Sequence, residues 1–208
     1  STALHYAIGH GSWMVVTILL DSGCANVNQL NHAGYSPVMV AAISSAETDE
    51  DLKVVDRLLS MGDVNMRSRG GQHTPLILAA GKGAKGIVDL LMSHQVDINK
   101  QNSVGNTALM CAAEKNYVDI VRRLLKRREI DLSLKDNEGK TALDIATEAR
   151  NNRVAEMIQE RMNESSRVNL ISNSPVELDL DEDSGYSVAP SANLQRRVVV
   201  KRGRSIRR

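Results

Sequence analysis

The sequence predicts an all-α solenoid of about five helix–turn–helix repeats with β-hairpin fingers, followed by a disordered C-terminal tail. A short motif that begins with Thr or Ser recurs five times, with starts 34, 38, 33 and 34 residues apart. Aromatic residues make up only 2% of the chain and Phe is absent, which favours a core of closely stacked helices with small contact residues. The five motif starts are Thr2, Ser36, Thr74, Thr107 and Thr141.

Each motif has the features of a helix start. A Thr or Ser hydroxyl can cap the first helical N–H groups, and Pro37 and Pro75 follow where a missing N–H has no consequence. Pairs of small residues then let neighbouring helices approach closely. Gly11, Gly83 and Asn116 stand where this helix is expected to end in a left-handed conformation. The small pairs are Ala41-Ala42, Ala79-Ala80 and Ala112-Ala113.

A second helix follows in each unit. Its apolar residues recur at i, i+1, i+4 and i+5, as in Val54, Val55, Leu58 and Leu59, so that they share one face. A junction rich in Asp and Asn and a glycine-centred turn come next, and these turns predict the projecting fingers. The turn glycines are Gly34, Gly71, Gly105 and Gly139.

The period and the motif resemble the ankyrin repeat, whose period is about 33 residues and whose first helix begins Thr-Pro-Leu-His-x-Ala. We expect an ankyrin domain at 1–163, with repeats near 1–31, 32–68, 69–102, 103–136 and 137–163. Trp13, Met14 and Ile18 make the first repeat more apolar than an end repeat should be. The natural start of the solenoid is therefore expected to lie upstream.

The remaining residues, 164–208, contain no repeat. An acidic run from Glu177 to Asp183 precedes seven Lys or Arg residues between Leu194 and Arg208. Such a composition predicts disorder. Two further hypotheses concern this tail: its basic end could be a nuclear localisation or nucleic-acid-binding segment, or the tail could fold back on the groove and compete with partners.

Composition and motifs argue against catalysis. The net charge of +1 favours neither nucleic acid nor membrane, and no run approaches the ~20 apolar residues of a membrane span. Gly81 to Gly86 fits the GxGxxG pattern but lacks the preceding strand that a dinucleotide site requires. No His pair has metal-binding spacing, and Cys24 and Cys111 are expected to be free thiols in a reducing compartment. We therefore predict no enzyme activity, no cofactor and no metal.

A repeat stack of this kind binds other proteins on a concave surface lined by its first helices and fingers. Equivalent positions form two ladders there: Tyr6, Val40, Leu78 and Cys111, and then Gly9, Ile43, Gly81 and Glu114. The second repeat also carries about five extra residues within the acidic segment from Ser44 to Asp51. This pattern favours an amphipathic helical peptide with nearby basic residues as the partner. The predicted partner-binding residues are Tyr6, Gly9, Trp13, Tyr35, Met39, Ile43, Glu47, Asp49 and Leu78.

Several details resemble the Kank family (KN motif and ankyrin repeat proteins) over roughly residues 1–162. They are the start at Thr2, the Gly-Tyr-Ser-Pro-Val-Met run that ends at Met39, the long second repeat, the shortened Gly62-Asp-Val-Asn65 junction and the Thr107 to Glu114 segment. The resemblance implies a cytoplasmic scaffold of the cell cortex and adhesion cytoskeleton, with the nucleus as another possible location. It also implies that the groove binds a helical peptide of a kinesin-4 motor through the positions of Tyr6, Ile43 and Leu78.

Overall fold

The computed structural model describes residues 1–46 and 48–173, with side chains through residue 165. These residues form ten α-helices and no β-strand. The helices are α1 (Ala3–Gly9), α2 (Trp13–Asp21), α3 (Pro37–Ala42), α4 (Asp49–Met61), α5 (Pro75–Lys82), α6 (Lys85–Ser93), α7 (Ala108–Glu114), α8 (Val118–Leu125), α9 (Ala142–Glu148) and α10 (Asn152–Asn173).

The helices pair in chain order into five repeats. The first helices of successive repeats pack against one another, so that α1, α3, α5, α7 and α9 form an inner layer. The second helices α2, α4, α6 and α8 form an outer layer in the same way. Ser1–Met162 is one compact unit. The predicted all-α repeat solenoid is thus confirmed.

Hydroxyl caps start the inner helices, as the motif predicts. The Ser36 Oγ atom accepts a hydrogen bond of 3.3 Å from the Met39 N–H, and the Thr residues of the next three repeats make the equivalent bond, also at 3.3 Å. In the first repeat the His5 ring takes part as well, because the Thr2 N–H donates to His5 Nδ1 at 3.2 Å. Each bond satisfies a backbone donor that a helix start leaves without a partner.

Left-handed residues end three inner helices at the predicted positions. The φ angles are +66° at Gly11, +83° at Gly83 and +58° at Asn116. Arg150 adopts the same conformation in the fifth repeat, with φ +59°. This region costs least for Gly and is tolerated by Asn, so the sequence signal is weaker at Arg150.

The predicted fingers are hydrogen-bonded turns. The Asn31 N–H donates to the Tyr35 carbonyl at 2.8 Å, and the fingers of the fourth and fifth repeats close over the same interval. The finger of the third repeat is one residue longer, since the Ser68 N–H reaches the His73 carbonyl at 2.9 Å. Here Gln72 rather than Gly71 has the positive φ, at +53°. The prediction that Gly71 centres a turn like the others is corrected by this extra residue.

Asparagine side chains join the junctions of the first four repeats. The Oδ1 atom of Asn28 accepts a hydrogen bond of 2.7 Å from the Asp63 N–H in the next repeat. Asn65 and Asn99 make the same contact one and two repeats later, at 2.8 and 2.9 Å. Each bond satisfies a backbone donor in the following repeat and so holds successive repeats in register.

The last helix extends beyond the predicted end of the domain. Val154, Met157 and Ile158 pack into the core, and α10 then continues to Asn173. Residues 164–173 are therefore helical where the sequence predicts disorder. A packed first turn supplies the nucleus, after which each added residue gains a hydrogen bond. The acidic and basic runs of the predicted tail lie outside the described residues.

Candidate protein-binding surface

The inner helices bring the first predicted ladder together. Tyr6, Val40, Leu78 and Cys111 occupy equivalent positions in α1, α3, α5 and α7. The Tyr6 side chain is 62% exposed, whereas the other three are half-buried against the core. The ladder is thus an apolar stripe with one prominent aromatic residue at its first position.

The second ladder runs beside the first at the ends of the inner helices. Ile43 follows the last residue of α3 and is 40% exposed, which is high for a large apolar residue. Gly9 is exposed, and a Cβ atom placed on it would meet no heavy atom within 4 Å. A ligand backbone can therefore approach closely between Tyr6 and Ile43. We call the exposed side of the inner helices and fingers the inner face.

The acidic insert of the second repeat is only partly a loop. Asp49, Glu50 and Asp51 form the first turn of α4, and Thr48 caps it by accepting a 3.1 Å hydrogen bond from the Asp51 N–H. Carboxylates at a helix start are stabilised by the helix dipole, so these acids also have a structural role. Asp49 is exposed, whereas Glu47 lies outside the described residues.

Two predicted contact residues belong to the core. Met39 is completely buried, and its sulfur atom accepts a 3.5 Å hydrogen bond from the Ser36 N–H. Trp13 is 8% exposed and packs in the same core. Neither side chain can reach a partner, so both are removed from the predicted surface. The equivalents of Met39 in the first, third and fourth repeats are His5, Ile77 and Met110, all buried, whereas Asp144 of the fifth repeat is exposed. The apolar residues at this position in the second to fourth repeats were the signal for a core position.

Tyr35 and Leu78 are half-buried. The Tyr35 carbonyl accepts a 2.9 Å hydrogen bond from the Nε2 atom of buried His5, which joins the first inner helix to the next finger. Burial lowers the pKa of His5 below its usual value of 6.5. Both residues lie on the inner face, and they offer a partner less surface than Tyr6 does.

The fifth repeat adds residues that the ladders omit. Ile145 continues the first ladder and Glu148 continues the second, in α9. They line a cavity of about 390 Å³ between the fourth and fifth repeats, together with Glu114 and the turn residues Asp136 and Glu138. Counting the same offsets from Thr141 identifies the first two of these residues from the sequence.

Neither cysteine has the environment of a catalytic nucleophile. Cys111 is half-buried in the apolar stripe, and burial, with a smaller contribution from Glu114, raises its pKa to about 11. Its thiol is therefore protonated at neutral pH, whereas the nucleophile is the thiolate. Cys24 is exposed and unpaired.

Two of the three glycines of the GxGxxG pattern have structural roles. Gly83 is the left-handed cap of α5, and Gly86 lies in the first turn of α6, where a Cβ atom would approach the Leu52 side chain to 3.2 Å. No group of three potential metal-ligating residues occurs within residues 1–46 and 48–165. In the part of the chain that the structure describes, no helix has the length and apolar character needed to cross a bilayer.

Comparison with known families agrees with this architecture. The family model for three consecutive ankyrin repeats matches residues 45–136 and 76–169, and the model for a single ankyrin repeat matches residues 1–32. The chain belongs to the ankyrin-repeat family. Ankyrin repeats are protein–protein interaction modules and are generally non-catalytic. The chain is therefore an ankyrin-repeat interaction module, and the inner face is its candidate binding surface.

Proposed function

We propose that the inner face of this ankyrin domain binds an amphipathic helical peptide of a partner protein, and that the protein is a non-catalytic scaffold. One observation carries the proposal: Tyr6 and Ile43 are 62% and 40% exposed at neighbouring ladder positions of the first two repeats. Exposed apolar side chains are typical of an interaction surface, and these two lie on the side of the stack that repeat proteins use for recognition.

The exposed apolar residues are suited to anchoring a peptide. Full burial of a side chain such as Ile contributes about 1.5–3 kcal/mol, so burial of the exposed 40% of Ile43 contributes roughly 0.6–1.2 kcal/mol. About 1.4 kcal/mol corresponds to tenfold in affinity. Tyr is among the residues that dominate binding energy, because it offers a large rigid surface with a polar end. Gly9 leaves open space beside Tyr6, and this space suits the close approach of a helix.

The exposed carboxylates of the second repeat suggest that the partner peptide is also basic. Asp49 and Glu50 are exposed at the start of α4 in the second repeat. Exposed carboxylates attract basic peptides during the encounter and affect the association rate more than the final affinity. The proposed peptide therefore combines an apolar stripe with Lys or Arg residues.

The resemblance to the Kank family supports a more specific version of this proposal. It suggests a peptide from a kinesin-4 motor as the partner and the cell cortex and adhesion cytoskeleton as the location. The scaffold would then connect cortical actin to microtubule motors. Tyr6, Ile43 and Leu78 are the positions at which this motor contact is expected.

Fluorescence anisotropy of a labelled kinesin-4 peptide tests the proposal. We expect micromolar or tighter binding that falls at least tenfold in Tyr6→Ala and Ile43→Asp, while the helical circular dichroism signal persists. Matched controls are Met14→Ala and Ile18→Asp, because these side chains are 80% and 61% exposed on the outer helix α2. Equal losses in the control variants, or no binding by the folded wild-type protein, would contradict the motor contact.

A further inference from the structure

The charges along the inner face change between the third and fourth repeats. In the fourth and fifth repeats, five carboxylates outnumber four basic residues. We call this group the acidic end. Its residues are Glu114, Asp136, Glu138, Asp144 and Glu148, with Lys115, Lys135, Lys140 and Arg150.

The first three repeats have a different character at the same positions. The equivalents of Glu114 and Glu148 are Gly9, Ile43 and Gly81, none of which is charged. The exposed charges on the inner helices and fingers of these repeats are Arg69, in the finger of the third repeat, and Lys82, at the end of α5. The inner face is therefore apolar to weakly basic over three repeats and acidic over two.

The acidic end already holds an ammonium group. The Nζ atom of Lys140 lies 3.0 Å from a Glu138 carboxylate oxygen and 2.7 Å from one of Glu148, so it bridges the finger and the inner helix α9. Hydrogen bonds to these two glutamates raise the pKa of Lys140. The two carboxylates thus converge on a cation at the wall of the 390 Å³ cavity.

The apolar stripe continues into the acidic end. Cys111 and Ile145 are half-buried and pack against the core, in line with Tyr6, Val40 and Leu78. Packed helices lie about 8–10 Å apart, so four steps from the first to the fifth repeat span about 32–40 Å. At 1.5 Å per residue, a helix of about 21–27 residues covers that distance.

We infer that a bound segment lies along the inner face in one direction, with its apolar residues over the first three repeats and its Lys or Arg residues at the acidic end. The apolar half of this inference rests on the proposed function. The basic half rests on the change of charge along the inner face and on the continuation of the apolar stripe into the acidic end. In the complex, a partner ammonium or guanidinium group competes with Lys140 for these carboxylates.

The acids of the second repeat are a weaker alternative for the basic residues. Like the carboxylates of the acidic end, they have partners within the chain: Glu50 forms a 2.9 Å ion pair with Lys53, and an Asp51 oxygen accepts the Thr48 N–H at 3.4 Å. The difference between the two sets is their location. These groups belong to the outer helix α4 and stabilise its first turn. They suit the initial encounter, whereas the acidic end lies on the stripe itself.

A pentalysine probe tests the basic half without relying on apolar capture. Pentalysine is titrated into the isotope-labelled full chain at low salt, and amide shifts are followed by NMR. We expect the largest shifts around Glu114, Glu138 and Glu148, and their loss in a Glu138→Gln/Glu148→Gln variant. Shifts centred on Asp49 to Asp51, or spread evenly over all exposed acids, would overturn the assignment.

Charge variants test the direction with the labelled kinesin-4 peptide of the previous section. Lys140→Met is expected to tighten binding and Glu148→Gln to weaken it, each by about two- to fivefold, the range of a partly exposed ion pair. Lys53→Met and Glu156→Gln are matched controls, since both residues form exposed ion pairs on outer helices. Peptide binding that is sensitive to Tyr6→Ala but unchanged by Lys140→Met and Glu148→Gln overturns only the direction. Failure of the peptide to bind, with pentalysine still at the acidic end, overturns the proposed function alone.

Discussion

The Nε2 atom of His5 donates a 2.9 Å hydrogen bond to the backbone carbonyl of Tyr35, 30 residues further along the chain. The Nδ1 atom of the same ring accepts the Thr2 N–H at 3.2 Å and lies 2.8 Å from the Thr2 hydroxyl. One buried imidazole thus caps the first inner helix and attaches the next finger to it. This arrangement requires a neutral ring, because Nδ1 must remain an acceptor.

His5 makes the stability of the first repeat depend on pH. Its pKa is lowered in the folded protein, chiefly by burial, so the unfolded chain binds a proton more readily. The stabilising contribution is complete above about pH 6.5 and is lost as the pH falls through the lower folded-state pKa. We expect the free energy of unfolding to fall more between pH 7.5 and 5 in the wild type than in His5→Gln. Urea denaturation at both pH values measures this, and equal slopes would contradict the assignment to His5.

Asn65 is predicted to stabilise the stack more than an exposed Asn does. Its side chain accepts the Asp97 N–H and donates to the Gln95 carbonyl, both at 2.8 Å. Asn65→Ala removes two hydrogen bonds worth about 0.5–1.5 kcal/mol each, because water can then bond the exposed backbone groups, so we expect a loss of about 1–2 kcal/mol. Asn152→Ala, at the exposed start of α10, is the control and should change stability by less than about 0.5 kcal/mol. Chemical denaturation compares the two variants, and similar losses of stability would contradict a stabilising role for the asparagine contacts between repeats.

Gly83 and Gly9 should respond to alanine in opposite ways. Gly83 has φ +83°, and a Cβ atom there would lie 2.8 Å from Cζ of Tyr117. Gly83→Ala should therefore lose about 1–2 kcal/mol or more. Gly9 is the last residue of α1 and has open space around it, so Gly9→Ala should be neutral or stabilise the fold by up to about 1 kcal/mol. Thermal melts that show a loss at Gly9 as large as that at Gly83 would contradict the structure.

The two thiols should differ strongly in reactivity. Burial raises the pKa of Cys111 to about 11, whereas Cys24 is exposed. Alkylation by iodoacetamide at pH 8 should modify Cys24 first and Cys111 only slowly, because the thiolate is the reactive form. Mass spectrometry of timed samples measures both rates, and the native protein must be compared with the urea-unfolded chain. Equal rates in the native state would show that the inner helix α7 opens readily.

Met39 and Tyr6 occupy adjacent positions in the repeat pattern, but their alanine variants should differ in stability. Met39→Ala removes a fully buried side chain and should cost about 2–5 kcal/mol in stability. Tyr6→Ala removes a side chain that is 62% exposed and should cost much less. Denaturation curves separate the two effects. A stable Met39→Ala variant with impaired peptide binding would restore Met39 to the contact surface.

Local features of the repeat could be predicted because each depends on neighbouring residues. The hydroxyl caps act on an N–H three residues away, and the left-handed ends at Gly11 and Gly83 follow from the absence of a Cβ atom. Exceptions arose where the local signal was weak. Gln72 and Arg150 both have positive φ, but neither is a residue type that marks a left-handed conformation in the sequence.

The candidate surface was predictable only in part. Tyr6 and Ile43 are exposed as the ladders require, but Met39 and Trp13 have equally apolar side chains and lie in the core. Apolar character alone does not separate a contact residue from a core residue, because both are placed by the same helical period. Recurrence of large apolar residues at the Met39 position in the second, third and fourth repeats was the better guide to burial.

The sequence by itself determined the repeat, its caps and the assignment to an interaction module, because these depend on contacts within a few residues. The tertiary structure alone decided which apolar residues stay exposed and that Glu138 and Glu148 converge on Lys140. It also decided that His5 reaches Tyr35 and that α10 continues to Asn173. For burial and the cross-repeat hydrogen bonds, the physical reason is distance along the chain: they depend on how residues some 30 positions apart are packed together, and the spacing of a motif does not specify that packing.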